Sequence, residues 1–308
     1  MSMPRDPHPP IFVIGSTRSG TTMLGRVLGG LPGMVYWHEP KTVSRIGHAY
    51  RSHDRATPKD ATKVATHHIR RAMLRFQREG GDARVVEKNP RNAAKVAFLH
   101  AVFPEAKFIH IYRDGRAMLS SQFEQLDTFK PFNLGKRSTL GFIKKRLKNT
   151  PWWEWPAYIS YFAVPVFRRH VLREPKTQWF GLKYPGWKAD LAAKRDRIEI
   201  VAKQWTHALG YALDDIETLP EGVCLNLRYE EVVSDPERWL RTICEFCSID
   251  VTDDVIREAA APVHVTSVDK WKDELDAETI ARATELMRPT LERLGYQPDF
   301  DSSKNTPE

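Results

Sequence analysis

Cysteine is scarce in this chain, with three residues (Cys224, Cys244 and Cys247) among 308. So few thiols exclude a disulfide framework as the source of stability. Cys244 and Cys247 stand three apart in ERWLRTICEFC, on one face of a predicted helix. No second pair completes a zinc site, and both read as buried core thiols. Long apolar runs are missing too: none reaches the roughly 20 residues of a membrane-spanning helix. The N-terminal MSMPRDPHPP lacks the apolar core of a secretory signal. Together these shortages set the expectation of a reducing, cytoplasmic setting. Acidic residues are in the minority, 39 against 47 Lys and Arg, for a formal net charge of +8. That balance suits an anionic ligand or surface. Zinc-finger spacing and an aromatic-basic RNA signature are both lacking, so no nucleic-acid partner is expected.

What is present begins at Pro10–Thr22, PIFVIGSTRSGTT. Ile11 to Ile14 is a short β-branched apolar run, the pattern of a buried strand. A tight polar loop, Gly15 to Gly20, follows. Leu24, Val27, Leu28 and Leu31 then recur at helical spacing. A strand, a Gly-rich loop and a helix N-terminus form an anion cradle, because unpaired backbone N–H groups and the helix dipole meet there. The spacing of Gly15 and Gly20 fits a nucleotide triphosphatase loop, but Thr21 occupies the lysine position. That lysine serves phosphoryl transfer, so ordinary ATP or GTP hydrolysis is disfavoured. Arg18 still places a charge in the loop.

Further strands are predicted over 34–37, 84–87, 107–112 and 223–227, alternating with helices. The fold class that follows is α/β, a P-loop-like three-layer arrangement around a mostly parallel sheet. Glu39 and Lys88 each fall just past a strand, at the sheet edge where such folds bind ligands. Glu39 alternatively caps a turn or pairs with Lys41, and Lys88 alternatively is a surface lysine. Arg113 leaves the strand over 107–112, and Ser121 lies about two helical turns further on. A guanidinium and a hydroxyl so spaced grip one phosphate, which makes a second anion site. Residues 188–219 read as one long helix. A basic stretch over 135–149 and an aromatic one over 152–167 form either a lid over an apolar acceptor, a membrane-surface element or ordinary core. The expected organisation is a disordered segment over 1–10, one domain over 11–300 with an acceptor or lid region at about 126–220, and a frayed end over 301–308.

Several segments in order now carry a resemblance. They are Ser16–Thr22, His38-Glu39-Pro40, Glu87-Lys88-Asn89-Pro90, Tyr112-Arg113-Asp114 with Ser121, Arg228-Tyr229-Glu230-Glu231 with Asp235-Pro236, and Lys270-Trp271. The chain resembles the sulfotransferases that use 3′-phosphoadenosine-5′-phosphosulfate (PAPS), with PAP as product, and a bacterial source fits it. The resemblance implies a nucleotide site of Arg18, Ser19, Gly20, Thr21 and Thr22 at the 5′-phosphosulfate, and Arg113 with Ser121 at the 3′-phosphate. Tyr229 matches the position beside the adenine nucleotide. Lys270 and Trp271 match the C-terminal cofactor-binding loop. Cytosolic members carry an Arg-Lys-Gly run there, whereas this chain has His264-Val265-Thr266, leaving Ser267 or Lys270 to replace it.

Cytosolic members also have a histidine two residues after the lysine, where this chain has Pro90. Glu39 instead looks like the glutamate base of carbohydrate and tyrosylprotein sulfotransferases, with His38 or another histidine as the rival. Glu39 as base, with Lys88 and Arg18 stabilising charge, is therefore the implied catalytic set, and no metal is expected. The acceptor implied is a carbohydrate, glycolipid or other small or lipid-linked alcohol or phenol, with peripheral membrane contact through 135–167 as an option. A P-loop kinase and a non-catalytic basic nucleic-acid or membrane-surface protein are the alternatives.

Overall fold

The computed structural model describes residues 8–40, 43–128, 181–263 and 268–297, together with Trp152, Trp155 and Pro156. Five strands form one parallel sheet: β1 (Ile11–Ile14), β2 (Met34–His38), β3 (Arg84–Lys88), β4 (Lys107–Tyr112) and β5 (Cys224–Arg228), in the order β2-β3-β1-β4-β5. Helices connect and cover them: α1 (Thr21–Gly29), α2 (Lys63–Glu79), α3 (Val96–Val102), α4 (Gly115–Thr128), α5 (Trp187–Ala192) and α6 (Arg197–Ile216). After β5 come α7 (Tyr229–Ser234), α8 (Pro236–Cys247), α9 (Asp253–Ala260), α10 (Trp271–Glu274) and α11 (Ala277–Arg293).

The central strand β1 is apolar on both faces because both are covered, as a parallel sheet requires. Phe12 and Ile14 point into a core shared with α2, α3 and α6. Ile11 and Val13 point oppositely, into a core shared with α1, α8 and α9. The chain leaves β1 toward β2 on one side and later returns to β4 on the other. A crevice therefore opens at the carboxyl end of β1, where the Gly-rich loop lies.

A third core holds the second half of the crevice in place. Trp205 of α6 is fully buried against Met118, Leu119 and Met287. Its indole Nε1 donates to the Arg113 carbonyl at 3.2 Å, fixing the turn after β4. Only a glycine fits at 115. A Cβ there would stand 2.4 Å from Met287 Sδ and 3.0 Å from the Trp205 ring.

The stretch read as one helix over 188–219 is two helices. Lys194 adopts a left-handed backbone (φ 51°). Asp196 then restarts the chain as the N-cap of α6, accepting from the Glu199 amide at 2.9 Å. Four consecutive charged residues, 194–197, interrupt the apolar pattern at the break. Asp235 caps α8 in the same way, accepting from the Arg238 amide, and Pro236 opens the helix. Cys244 and Cys247 are buried, and burial pushes their thiols up to about 11 and about 12.

Residues 1–7, most of the 126–220 region and the C-terminal end lie outside the described residues. So does the 135–167 stretch, apart from Trp152, Trp155 and Pro156. Among the described residues, no helix is long and apolar enough to cross a membrane.

Inside the sheet, His110 pairs with Asn226 across β4 and β5, Nδ1 to Oδ1 at 2.9 Å. Burial pulls its imidazole down to about 4. The folded chain thus holds it neutral, while the unfolded chain protonates it below about 6.5. Its contribution to stability is intact above that pH and is lost as pH falls from about 6.5 to about 4, by up to roughly 3 kcal/mol. Urea midpoints across this range will show the loss. His110→Gln, which keeps a partner for Asn226 without titrating, will flatten the slope.

Candidate active site

Two parallel strands bring the expected catalytic groups together. The register pairs His38 of β2 with Lys88 of β3, and the ladder runs one step further, with the Glu39 amide donating to the Lys88 carbonyl at 2.9 Å. Glu39 then turns through a left-handed backbone (φ 46°), a conformation that a side chain adopts only at some cost in strain. Its carboxylate Oε1 accepts from Lys88 Nζ at 2.9 Å. The Lys88 side chain is 3% exposed and that of Glu39 25%. Glu39 thus pairs with Lys88 across the strand ends, and Lys41, the neighbour suggested by sequence, lies outside the described residues.

Beneath this pair is a buried polar layer. Glu87 points to the opposite face of β3, where its Oε2 accepts from Asn92 Nδ2 at 2.5 Å. Burial raises its carboxyl to about 8, and burial lowers the nearby Lys95 ammonium to about 8. Lys95 Nζ lies 3.2 Å from His48 Nε2. These contacts hold the turn Pro90–Ala94, whose first residue lines the crevice.

The loop after β1 closes on itself before it meets any ligand. Ser19 Oγ donates to the Ser16 carbonyl at 2.7 Å. Ser19 is fully buried, so its hydroxyl supports the loop and does not face the crevice. Gly20 has φ 86°, and a Cβ there would stand 2.6 Å from the Tyr229 ring. Gly20→Ala will therefore cost about 1–3 kcal/mol, from the backbone conformation and the displaced ring together. A thermal melt alongside a nucleotide titration will show lower stability and weaker binding; unchanged values for both would mean the loop does not need this geometry.

At the far side of the loop, Arg18 Nε donates to Ser121 Oγ at 2.8 Å. Arg113 donates to the Arg18 carbonyl (3.4 Å) and stacks 4.5 Å from the centre of the Tyr229 ring. Helix α10 docks on α4, with Trp271 packed against Ala117. Trp271 lies under the Arg116 guanidinium at 4.7 Å, and Glu274 accepts from Ser120 Oγ.

These groups enclose one crevice of about 400 Å³. Of the residues expected at the site, Arg18, Gly20, Thr21, Thr22, Glu39, Lys88, Arg113, Ser121, Tyr229, Lys270 and Trp271 all line it. Ser19 does not, and Ser267 lies outside the described residues. Sequence reasoning missed Thr17, Ser120, Glu124 and Glu274, which also line it. Thr17 stood inside a quoted segment and Ser120 directly before Ser121, whereas Glu274 had only its place one turn after Lys270 as a signal. Among the described residues, no group of three or more His, Cys, Asp or Glu is placed to hold a metal ion.

The donor set fits a nucleotide with two anionic ends. Guanidinium and hydroxyl groups cluster at one end, while lysine, threonine hydroxyls and a helix N-terminus lie at the other. Comparison with known proteins agrees. The family model described as "Sulfotransferase family" matches residues 9–149 and 167–253. Protein-tyrosine sulfotransferase 1 of Danio rerio is 24% identical over 321 residues, covering 94% of this chain and 73% of its own. Protein-tyrosine sulfotransferase A of Caenorhabditis elegans is 23% identical, covering 94% and 68%. Among solved structures, the sulfotransferase domain from the curacin biosynthetic pathway superposes with a TM-score of 0.53 at 15% identity, covering 95% of this chain and 99% of that one. The sulfotransferase domain from the Synechococcus PCC 7002 olefin synthase gives 0.53 at 18% identity, covering 96% and 98%. At these identities both show the fold alone. Family match, shared fold and crevice agree: this chain belongs to the sulfotransferase family and is a PAPS-dependent enzyme that moves a sulfuryl group to a hydroxyl acceptor.

Proposed function

We propose that Glu39 is the general base and that the acceptor is a phenolic hydroxyl of the kind tyrosine carries. The observation behind the first part is the 2.9 Å Glu39–Lys88 pair at the wall of the crevice. PAPS, when bound, supplies an activated sulfuryl group on a phosphate leaving group. Glu39 takes the acceptor's proton on its carboxylate as the oxygen attacks, a task that depends on hydrogen-bond reach. Lys88 Nζ, already turned toward Glu39, donates to the oxygens on which negative charge grows. Pairing at 2.9 Å fixes the positions of the carboxylate and the ammonium before an acceptor arrives. The hydroxyls of Thr21 and Thr22 and the α1 N-terminus hold the anionic end of the nucleotide. Arg113, stacked on Tyr229, holds the other end.

Two considerations support a phenol. A carboxylate is a weak base, best matched to an acidic hydroxyl, and a phenol near pKa 10 is far more acidic than an alcohol. The relatives aligned over most of the chain are protein-tyrosine sulfotransferases. Labelled PAPS with a tyrosyl peptide, a simple sugar and an alkyl alcohol in parallel will test this. Transfer fastest to the peptide is expected. Transfer to the sugar or the alcohol alone would refute the phenol assignment while leaving sulfuryl transfer in place.

A further inference from the structure

Two walls of the crevice come from distant parts of the chain. Thr17 lies in the loop after β1, whereas Pro90 follows Lys88 past the end of β3, and both line the crevice. Transfer requires these walls at a fixed separation, because the donor nucleotide is held on one and the Glu39–Lys88 pair stands on the other. A short segment over 181–184, ahead of α5, is bonded toward both.

Toward the loop runs a relay of side-chain amides. Gln204 of α6 donates from Nε2 to the Leu182 carbonyl at 3.2 Å. Its Oε1 accepts from Gln122 Nε2 of α4 at 3.0 Å. Gln122 Oε1 in turn accepts from the Thr17 hydroxyl at 3.3 Å. Both glutamines are buried. Every link has the same polarity, each oxygen accepting from the loop side and each nitrogen donating toward Leu182, so the bonds reinforce one another. Gly181 lies flat against this relay. Its backbone is left-handed (φ 90°), and a Cβ there would stand 3.0 Å from the Gln204 amide.

Toward the other wall the same segment meets Asp54. The Lys183 amide donates to Asp54 Oδ2 at 2.8 Å, and the Asp54 amide donates back to the Lys183 carbonyl at 2.7 Å. Asp54 is fully buried. Its Oδ2 lies 3.6 Å from Arg91 Nε, and its Oδ1 lies 3.8 Å from Arg45 Nη1. Arg91 directly follows Pro90. The neighbouring Arg55 side chain and Ala56 amide donate to the Ala94 carbonyl at 3.1 and 3.3 Å, holding the far end of the same turn. Gln122, Gln204 and Asp54 stand behind the crevice and not in its lining.

We propose that residues 181–184 brace the nucleotide loop against the Glu39–Lys88 wall, with Gln204 and Asp54 as the positioning residues that fix the geometry of sulfuryl transfer. This rests on the Glu39 reading above. Buried polar groups hold such a brace stiffly, since any displacement leaves a donor or acceptor unpaired. Small shifts matter here, because a misplacement of about 1 Å at reacting atoms costs about a hundredfold in rate.

The test compares the unaltered chain, Q204M, D54N, the double variant and E39Q, each well below its melting point. Three quantities are read: amide hydrogen exchange over 181–187, PAP affinity, and single-turnover transfer from PAPS. The acceptor is whichever of a tyrosyl peptide, a simple sugar and an alkyl alcohol the unaltered chain sulfates. Methionine keeps the length of Gln204 without its bonds. Asparagine keeps an oxygen for the Lys183 amide but not the charge that faces Arg91. Q204M is expected to speed exchange at the Lys183 amide at least about tenfold. Transfer should slow about 30- to 100-fold while PAP affinity stays within about threefold. D54N should give the same pattern, with transfer slowed about tenfold. The double variant should fall no more than about threefold below the slower single, because either change frees the same segment. Losses that multiply would mean independent roles and overturn the brace. Unchanged exchange, normal transfer despite faster exchange, or PAP affinity lost as steeply as transfer would each overturn it too. Should Q204M fail to fold, D54N decides on the same readings. Full turnover in E39Q would overturn Glu39 as base alone, and the brace is then judged by exchange and by the split between transfer and PAP affinity.

Discussion

Replacing Glu39 by glutamine will lower turnover about a thousandfold and leave PAP affinity within about threefold of the unaltered chain. Glutamine keeps the shape and the acceptor oxygen for Lys88 Nζ but cannot take a proton at that atom. The buried ammonium therefore retains a hydrogen bond, and the crevice keeps its form. Glu39→Ala behaves differently. Lys88 is 3% exposed, so removing its partner leaves a buried charge uncompensated. That situation typically costs about 3–5 kcal/mol, and the alanine variant should melt markedly lower. Initial rates from PAPS with saturating acceptor, PAP titration and a melt together separate the two effects. Glutamine at full turnover would remove Glu39 as the base, and glutamine with lost PAP binding would make it structural.

Lys88→Met carries the second large effect. Methionine fills nearly the same volume against α1, so the fold should tolerate it. The orphaned Glu39 is 25% exposed and can draw on solvent, which keeps the stability cost smaller than in Glu39→Ala. Turnover should nevertheless fall about 100- to 1,000-fold, because a donor aimed at developing charge is gone. PAP affinity should change less than tenfold, because most donors to the nucleotide are elsewhere in the crevice. Single-turnover rates check this. A Lys88→Met enzyme with normal rates and a lowered melting point would show that Lys88 only balances Glu39.

Much of this was legible in sequence where the signal is local. Ile11–Ile14 and Lys107–Tyr112 are short apolar or alternating runs bounded by turns, so their strands could be read directly. Asp235-Pro236 announced α8 through cap chemistry. The parallel, three-layer arrangement followed from alternation of strands and helices. Long-range pairing was not legible. Lys88 and Glu39 are 49 residues apart, and their meeting depends on the β2–β3 register, while Lys41 was the nearer partner on paper. Arg18 and Ser121 meet across 103 residues, and nothing in either segment announces which way the arginine turns. Ser19 sat inside the correct loop, but its rotamer, bonded to Ser16, was beyond sequence reasoning. The break after α5 was missed although four consecutive charged residues, 194–197, interrupt the apolar spacing there and Asp196 caps the helix that follows.

The enzyme's dependence on a 3′-phosphorylated sulfonucleotide is tested most directly by calorimetric titration with PAP in a metal-free buffer and, separately, with ATP plus Mg²⁺. The crevice, with guanidinium groups at one end and Thr21 in the lysine position of the loop, predicts saturable PAP binding without metal, at least about a hundredfold tighter than ATP–Mg²⁺. Tighter binding of ATP–Mg²⁺ than of PAP would contradict the account and point to phosphoryl transfer.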